Sequence, residues 1–429
     1  MNQNLKIIDN LIRKYFNYRD QRISLIASEN YSSNLMRTSL AIGLIDQYCS
    51  RLPEDKNKLG NLSFGHIDLL DDINQCTKNI VTNLFVAGDC DIRLLSGISG
   101  LTVSIFSLLE KGDVLLKVAD KCGGPLFVKP ICQKIGIKTI EMELGENFRL
   151  DPDNVYKLYK KHRPKAIFLD SSYILFPHPV KEIRERVGEK ALILYDGSQV
   201  LGLIAGGQFQ DPFAEGANII HGTLHKTFFG PQKAVLLFRK KDAIAKKIHN
   251  TIKDVLVSNT HLHHILALLI ATAEMKEFGQ AYACQLIANA QYLATKLSAK
   301  GLDIVAKEYG YTACHQFWIN LGTKKNSYQC FRRLEQVNIS TNVIYLPNGN
   351  WGLRIGLNEL TRLGVKNEEL DEISEIIFQV ISGQEINKLK YRSLSVKEAI
   401  MKHKIKYSFD YTDGKKIIDF ILNKIKGKI

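Results

Sequence analysis

The sequence predicts an α/β protein in which a large domain with a mainly parallel sheet precedes a small C-terminal α/β domain. Three observations lead there. From about residue 66 to 245, helical stretches alternate with short apolar runs: DVLLKVA (113–119), AIFLD (166–170), ALILYD (191–196), NIIHG (218–222) and KAVLLF (233–238). Such runs suit strands covered by helices on both faces. Residues 243–300 then read as nearly continuous helix, and 302–380, with GLRIGL inside, as a second, smaller α/β unit. A chain of 429 residues is long enough for two cores. The expected division is an N-terminal helical arm (1–45), a large domain (46–275), and a linking helix with the small domain and a basic tail (276–429).

Taken in order, the N-terminal stretch MNQNLKIIDNLIRKYF lacks the compact apolar centre and small-residue cleavage site of a secretory signal. Leu5, Ile8, Leu11 and Ile12 repeat at helical spacing and predict an amphipathic helix that packs on something. At the other end, Ile417, Ile418, Phe420, Ile421 and Ile425 share a helical face, expected to pack on the chain's own body or a partner subunit rather than a membrane. No run of about 18 apolar residues occurs, so no membrane span is expected. The eight cysteines include no C-x-x-C pair, which points away from a zinc site or disulfide framework and toward a reducing, cytoplasmic compartment. The formal charge of +14 comes from 58 Lys and Arg against 44 Asp and Glu, with the basic residues spread along the chain. It reads as general composition and not as a nucleic-acid surface.

In parallel sheets ligands sit at the carboxyl ends of the strands. Ser172, Asp196 and Lys226 all follow apolar runs on that side. Lys226 lies in HGTLHKTFFGP (221–231), with Leu224 before it and Phe228 and Phe229 after it, which argues for a shielded amine. A carboxylate and a lysine at two strand ends are the minimum kit for pyridoxal phosphate. The lysine forms a Schiff base with the aldehyde, and the aspartate keeps the pyridine nitrogen protonated. Phosphate needs backbone N–H groups at a helix start, and SGISG (96–100) offers Gly97, Ile98 and Ser99. Arg354, embedded in GLRIGL, is placed to hold an amino-acid carboxylate.

Together these segments resemble the serine hydroxymethyltransferase family, a branch of the fold type I (aspartate-aminotransferase-like) pyridoxal-phosphate enzymes. The resemblance covers roughly residues 1–410. ISLIASENYSS (23–33) is similar to the family's N-terminal signature, and Tyr48 and GNLSFGHIDLLDD (60–72) to its tyrosine and glycine-rich substrate loops. LLSGISGLT (94–102) corresponds to the phosphate turn and DKCGGPLF (120–127) to the loop over the cofactor face. YDGSQVLGL (195–203), TLHKTFFGP (223–231) and GLRIGLNELTRLG (352–364) match the aspartate, lysine and arginine segments. The resemblance implies Lys226, Asp196 and Tyr48 as catalytic. It implies cofactor contacts from Gln199, Gly97, Ile98, Ser99, Ser172, Pro125, His225 and Thr223, and substrate contacts from Arg354, Ser28, Tyr48 and His66. It also implies a homodimer or tetramer with shared active sites, with Tyr48 and the 255–261 segment supplied across the interface, and no metal.

The departures from the family pattern are concentrated. Ser50 stands where the family carries an acid/base glutamate, Ser63 and Phe64 replace a tyrosine pair, and His66 replaces a glycine. Pro125 replaces the ring-stacking histidine, Gln199 the histidine after the cofactor aspartate, and Gln232 with Lys233 the arginine after Gly-Pro. VLVSNTH (255–261) replaces a loop rich in glycine and glutamine. Serine has no useful acid/base pKa near neutrality, so Ser50 cannot act as a general acid. The expectation is aldol-type Cα–Cβ cleavage or transfer on a β-hydroxy amino acid or glycine, without folate. The alternatives are a genuine tetrahydrofolate-using hydroxymethyltransferase, an aminotransferase or decarboxylase, and a catalytically degenerate homologue.

Overall fold

The computed structural model describes residues 2–49 and 68–427. The expectations placed on Ser50, Ser63, Phe64 and His66 lie outside the described residues. Two compact units are present: Ser32–Cys284 with Tyr407–Ile429, and Met1–Tyr31 with Gln285–Lys406. The sequence-based boundaries at 45 and 275 were drawn by pattern; the compact units divide at 31, 284 and 406.

The larger unit is built on seven strands: β1 (Asp89–Asp91), β2 (Val114–Val118), β3 (Lys138–Met142), β4 (Ala166–Leu169), β5 (Leu192–Asp196), β6 (Ile219–Thr223) and β7 (Ala234–Phe238). Their order across the sheet is β1-β7-β6-β5-β4-β2-β3. The neighbours from β3 to β6 pair in parallel, while β7 runs antiparallel between β6 and β1. Strands β4, β6 and β7 are buried at every position, which is why they read as continuous apolar runs. The two strands absent from the apolar pattern are the sheet edges. Edge strand β3 (KTIEM) is buried only at Met142. The sequence of β1 is Asp-Cys-Asp, buried because its carboxylates are paired with cations.

Helix Gly97–Leu108 lies against β6 and β7, and its Leu101, Ile105 and Leu108 join Leu194, Ile219, Leu236 and Phe238 in one apolar core. The stretch 243–300 is not one helix. Ala243–Thr251 passes through a π-turn at Ile252–Leu256, then non-helical residues, before Leu262–Ala299. The interruption falls in VLVSNTH, where Asn259 and Thr260 bond to Cys49 instead of continuing the helical ladder. The final helix, Asp413–Ile425, packs on Asn34–Ser39, whose first backbone N–H groups donate to the Asp410 carboxylate at 2.8 and 2.9 Å. Within this chain only part of the expected apolar face of the tail is covered. Gly414, Ile418 and Ile421 turn inward, while Ile417, Phe420 and Ile425 are exposed.

In the smaller unit GLRIGL forms the central strand, Trp351–Gly356, of an antiparallel sheet with Asn342–Tyr345 and Gln316–Gly322. Ile23–Ser24 pairs in parallel with Ile339–Ser340, which draws the N-terminal signature into this unit. Helix Gln3–Gln21 touches Ile386–Met401. It buries none of its own side chains: Leu5, Ile8, Leu11 and Ile12 are each at least half exposed. The packing expected for them is absent from this chain alone. Among the described residues no helix is long and apolar enough to cross a membrane.

Candidate active site

Asp196 is the last residue of β5, and in parallel register it sits beside His221 of β6. Residues paired in this way project to the same face, so carboxylate and imidazole become neighbours, with Nδ1 3.4 Å from Oδ1. The Ser198 N–H also donates to Oδ1, at 2.8 Å. Burial would raise the carboxyl, but His221, Lys226 and the Ser198 contact outweigh it and hold the group down to about 2. Asp196 is therefore an anion at neutral pH with Lys226 within electrostatic reach. That is the charge needed opposite a protonated pyridine nitrogen.

The helix expected to receive phosphate begins at the end of β6. Ser96 caps it, accepting from the Ser99 N–H while the Ser99 hydroxyl accepts from the Ser96 N–H. Two glycines set its approach to the strand. A Cβ on Gly97 would lie 2.7 Å from the Thr223 methyl, and one on Gly100 would lie 2.6 Å from the His221 ring. Thr223 is buried and tied to Ser198 through both its N–H and its hydroxyl. Gly97, Ile98 and Ser99 thus present a helix N-terminus beside the β6 end, a setting that favours an anion.

Lys226 follows β6 by three residues and is half-buried, less shielded than its flanking residues suggested. Phe228 and Phe229 are fully buried. The loop is fastened to the turn after β5: the Thr227 hydroxyl donates to the Gln199 carbonyl and accepts from the Gly202 N–H. Phe229 takes a left-handed backbone (φ 46°), rare for so bulky a residue, which turns the chain back toward β7. His225 is held neutral, its pKa pushed down to about 4 by burial and by Lys226. The buried Gln199 Oε1 and His225 Nδ1 have no hydrogen-bond partner among the described residues.

The loop expected over the cofactor face is anchored by close contacts. Gly123 has φ +90° and leaves room for the Tyr173 ring, and its carbonyl accepts from the Ser172 N–H. Pro125 follows, half-buried. Beside it Ser172 is half-buried, while its neighbour Ser171, not singled out from the sequence, is buried with a hydroxyl that has no hydrogen-bond partner among the described residues. Asp170 was read as a strand end. It is a fully buried carboxyl whose pKa burial raises well above the usual range, with Oδ1 accepting from the Val118 N–H. His221 was likewise missed. A histidine inside the otherwise apolar NIIHG was the available signal.

Orphaned polar atoms of Ser171, Gln199, His221 and His225, an ionised Asp196, and a helix N-terminus thus lie along the strand ends of one sheet. These residues fit pyridoxal phosphate, which needs an anion partner, a phosphate cradle and further polar contacts. A cavity of about 640 Å³ elsewhere in the unit, lined by Lys78, Asp89, Arg93 and His249, contains none of them.

The expected carboxylate arginine and Ser28 belong to the smaller unit. Arg354 is buried on the central strand and donates to the Asn342 side chain at 3.1 Å. Ser28 sits in a turn that Gly356 packs against, and the preceding Ala27 carbonyl accepts from Asn358 at 2.8 Å. Tyr48 is exposed in the larger unit. Adjacent Cys49 accepts from the Thr260 N–H and donates to Asn259, tying Tyr48 to the 255–261 segment.

Comparison with known proteins identifies the family. The family profile described as serine hydroxymethyltransferase matches residues 1–377. A serine hydroxymethyltransferase of Methanobrevibacter smithii is 33% identical over 95% of this chain and 96% of its own. Another, from Pyrococcus furiosus, is 34% identical over 94% and 96%. The solved L-threonine transaldolase from Pseudomonas fluorescens, in its internal aldimine state, superposes with a TM-score of 0.93 over 98% of both chains at 26% identity. The chain belongs to the serine hydroxymethyltransferase family and is a pyridoxal-phosphate-dependent enzyme of the transferase or aldolase type with the fold type I architecture.

Proposed function

We propose that the enzyme makes or breaks the Cα–Cβ bond of a β-hydroxy amino acid, or transfers an aldehyde to glycine, without folate. The observation that carries this reading is the likeness to a threonine transaldolase along nearly the whole chain. It is supported by Ser50, Phe64 and Pro125 standing where the resemblance places a glutamate, a tyrosine and a histidine.

Lys226 would hold the cofactor covalently, Asp196 would face its ring nitrogen, and the helix start at Gly97, Ile98 and Ser99 would take its phosphate, the Ser99 N–H giving up its 3.3 Å bond to the Ser96 hydroxyl. Ser172, or its neighbour Ser171 whose hydroxyl has no partner among the described residues, would meet the ring oxygen, with Gln199, His225, Thr223 and Pro125 lining the same end of the sheet. When bound, the cofactor supplies an electron sink conjugated to the substrate Cα. Arg354 would hold the substrate carboxylate by a two-pronged contact, with Ser28 from its own unit nearby. Half-buried His225, its pKa pushed down to about 4 by burial and by Lys226, stays neutral and would meet the cofactor as an uncharged polar contact.

Tyr48 and the 255–261 segment would serve the site of a second copy, in a homodimer or a dimer of dimers. The exposed apolar side chains of Gln3–Gln21 support this, as do the bonds of Cys49 to Asn259 and Thr260, which join the residue after Tyr48 to the 255–261 segment.

A second reading, true tetrahydrofolate-dependent serine–glycine exchange, is favoured by the names of the 33–34% identical relatives. One assay separates them. Threonine should release acetaldehyde without folate, and serine turnover should stay near background when tetrahydrofolate is added. A missing general acid costs roughly 10²–10⁴ in rate. Acceleration of serine cleavage by several orders of magnitude on adding tetrahydrofolate would establish the second reading instead.

A further inference from the structure

His221 has no role in the expected site, yet it is buried, with its side chain 6% exposed, beside the residue expected to matter most. Its Nε2 has no hydrogen-bond partner among the described residues, and its Nδ1 has only the long 3.4 Å approach to Asp196 Oδ1. A buried imidazole left unsatisfied is costly, so a histidine at this point of an apolar strand calls for a physical reason.

The geometry supplies one. Nδ1 faces Asp196 Oδ1, and the Ser198 N–H donates to the same oxygen. Both protein contacts therefore fall on Oδ1 and leave Oδ2 to meet another group. The far edge of the ring is fixed by the helix that begins at Gly97. With glycine at 97 and 100 the helix comes close enough that any Cβ on Gly100 would strike Cδ2 and Nε2. The imidazole is wedged between that helix and the carboxylate, with little freedom to turn away.

We propose that His221 is a positioning residue that steadies Asp196 through Oδ1, so that Oδ2 is presented to the ring nitrogen of the bound cofactor. This rests on Asp196 being the cofactor's aspartate, and the test separates the two ideas. The measurement is the affinity of the apoprotein for pyridoxal phosphate and for its deaza analogue, in which CH replaces the ring nitrogen. Wild type should favour pyridoxal phosphate, and D196A should abolish that preference; a D196A protein that keeps it overturns the assignment of Asp196 itself.

If His221 acts through Asp196, H221A and H221V should shrink the preference about tenfold, the effect of one contact to a charged group, while binding of the analogue changes little. H221N keeps an N–H donor near the Nδ1 position and should retain most of the preference. Each variant serves as its own reference, and two truncations are used so that misfolding of one leaves the other. Equal loss of both ligands in the truncations, with or without rescue by H221N, would reduce His221 to a packing residue and overturn the proposal, as would no loss at all.

Discussion

At the scale of single residues, Lys226 and His249 show how position can suit one group to the chemical task proposed for it and another to a structural one. Lys226 stands on a fastened loop within electrostatic reach of an ionised aspartate. Borohydride treatment of the holoenzyme should fix the cofactor to the peptide containing Lys226, and K226A should be colourless. A label on any other lysine would refute the assignment. His249 instead bridges two buried carboxylates, with Nδ1 2.7 Å from Asp91 and Nε2 2.9 Å from Asp89. Arg93 and Lys78 complete the cluster. Burial opposes its charge, but the two carboxylates prevail and raise its pKa above 6.5. A raised histidine contributes stability that is fully present below the unfolded value of about 6.5 and is lost as pH rises through the folded value. The Asp89 carboxyl, which burial would raise, is held down to about 2 by His249 and Lys78. Its contribution is present above about 4 and fails as pH falls through about 2. H249Q should therefore lower the urea midpoint, by about 3 kcal/mol in stability below pH 6.5, with the gap to wild type narrowing in more alkaline buffer. A gap that widens with pH would show that the imidazole is buried neutral.

At the scale of elements, the contact between helix Gly97–Leu108 and β6 depends on a missing side chain. In G100A the new methyl would meet the His221 ring at 2.6 Å, which should destabilise the protein by about 1–3 kcal/mol and weaken cofactor binding. Adding H221A should recover part of the stability, because the two sites share one space. Additive losses in the double variant would mean the helix yields elsewhere. The same scale explains what could be read from sequence. Strands β4, β5, β6 and β7 were legible because burial on both faces leaves an unbroken apolar run. Strand β1 was not, since its acidic residues are buried only by virtue of cationic partners, the shared one, His249, lying about 160 positions away. Asp196 and Lys226 were legible as polar residues at the ends of such runs. His221 and Ser171 were not, because their significance lies in cross-strand register and in an unclaimed hydroxyl, neither of which a linear pattern shows. The break after Leu256 was hidden for a related reason: side-chain periodicity persists through it, while the backbone is claimed by Cys49.

At the scale of the whole molecule, a 19-residue helix with no buried side chain is a poor investment for a lone chain. Gln3–Gln21 presents Leu5, Ile8, Leu11, Ile12 and Phe16 to solvent, each at least half exposed. Covering such a face on association is favourable at about 25 cal/mol per Å² of apolar surface. Sedimentation should show a dimer or larger assembly, and deleting residues 2–21 should shift it toward monomer and weaken cofactor retention. A full-length monomer that keeps its cofactor would contradict the shared-site arrangement.

The eight cysteines are all free thiols, six of them buried and only Cys76 and Cys284 exposed. Burial pushes Cys90 up to about 12 and Cys132 and Cys314 up to about 11, so within the folded chain these sulfurs are protonated and shielded from reagents. The protein thereby carries its own clock for transient opening. A thiol probe should mark Cys76 and Cys284 at once, and every later modification would time the exposure of a particular region. Cys90 and Cys132 lie in the larger unit, Cys314 and Cys330 in the smaller one. Comparing their labelling rates by mass would tell whether the two units breathe together or on separate schedules, with no engineered reporter in either.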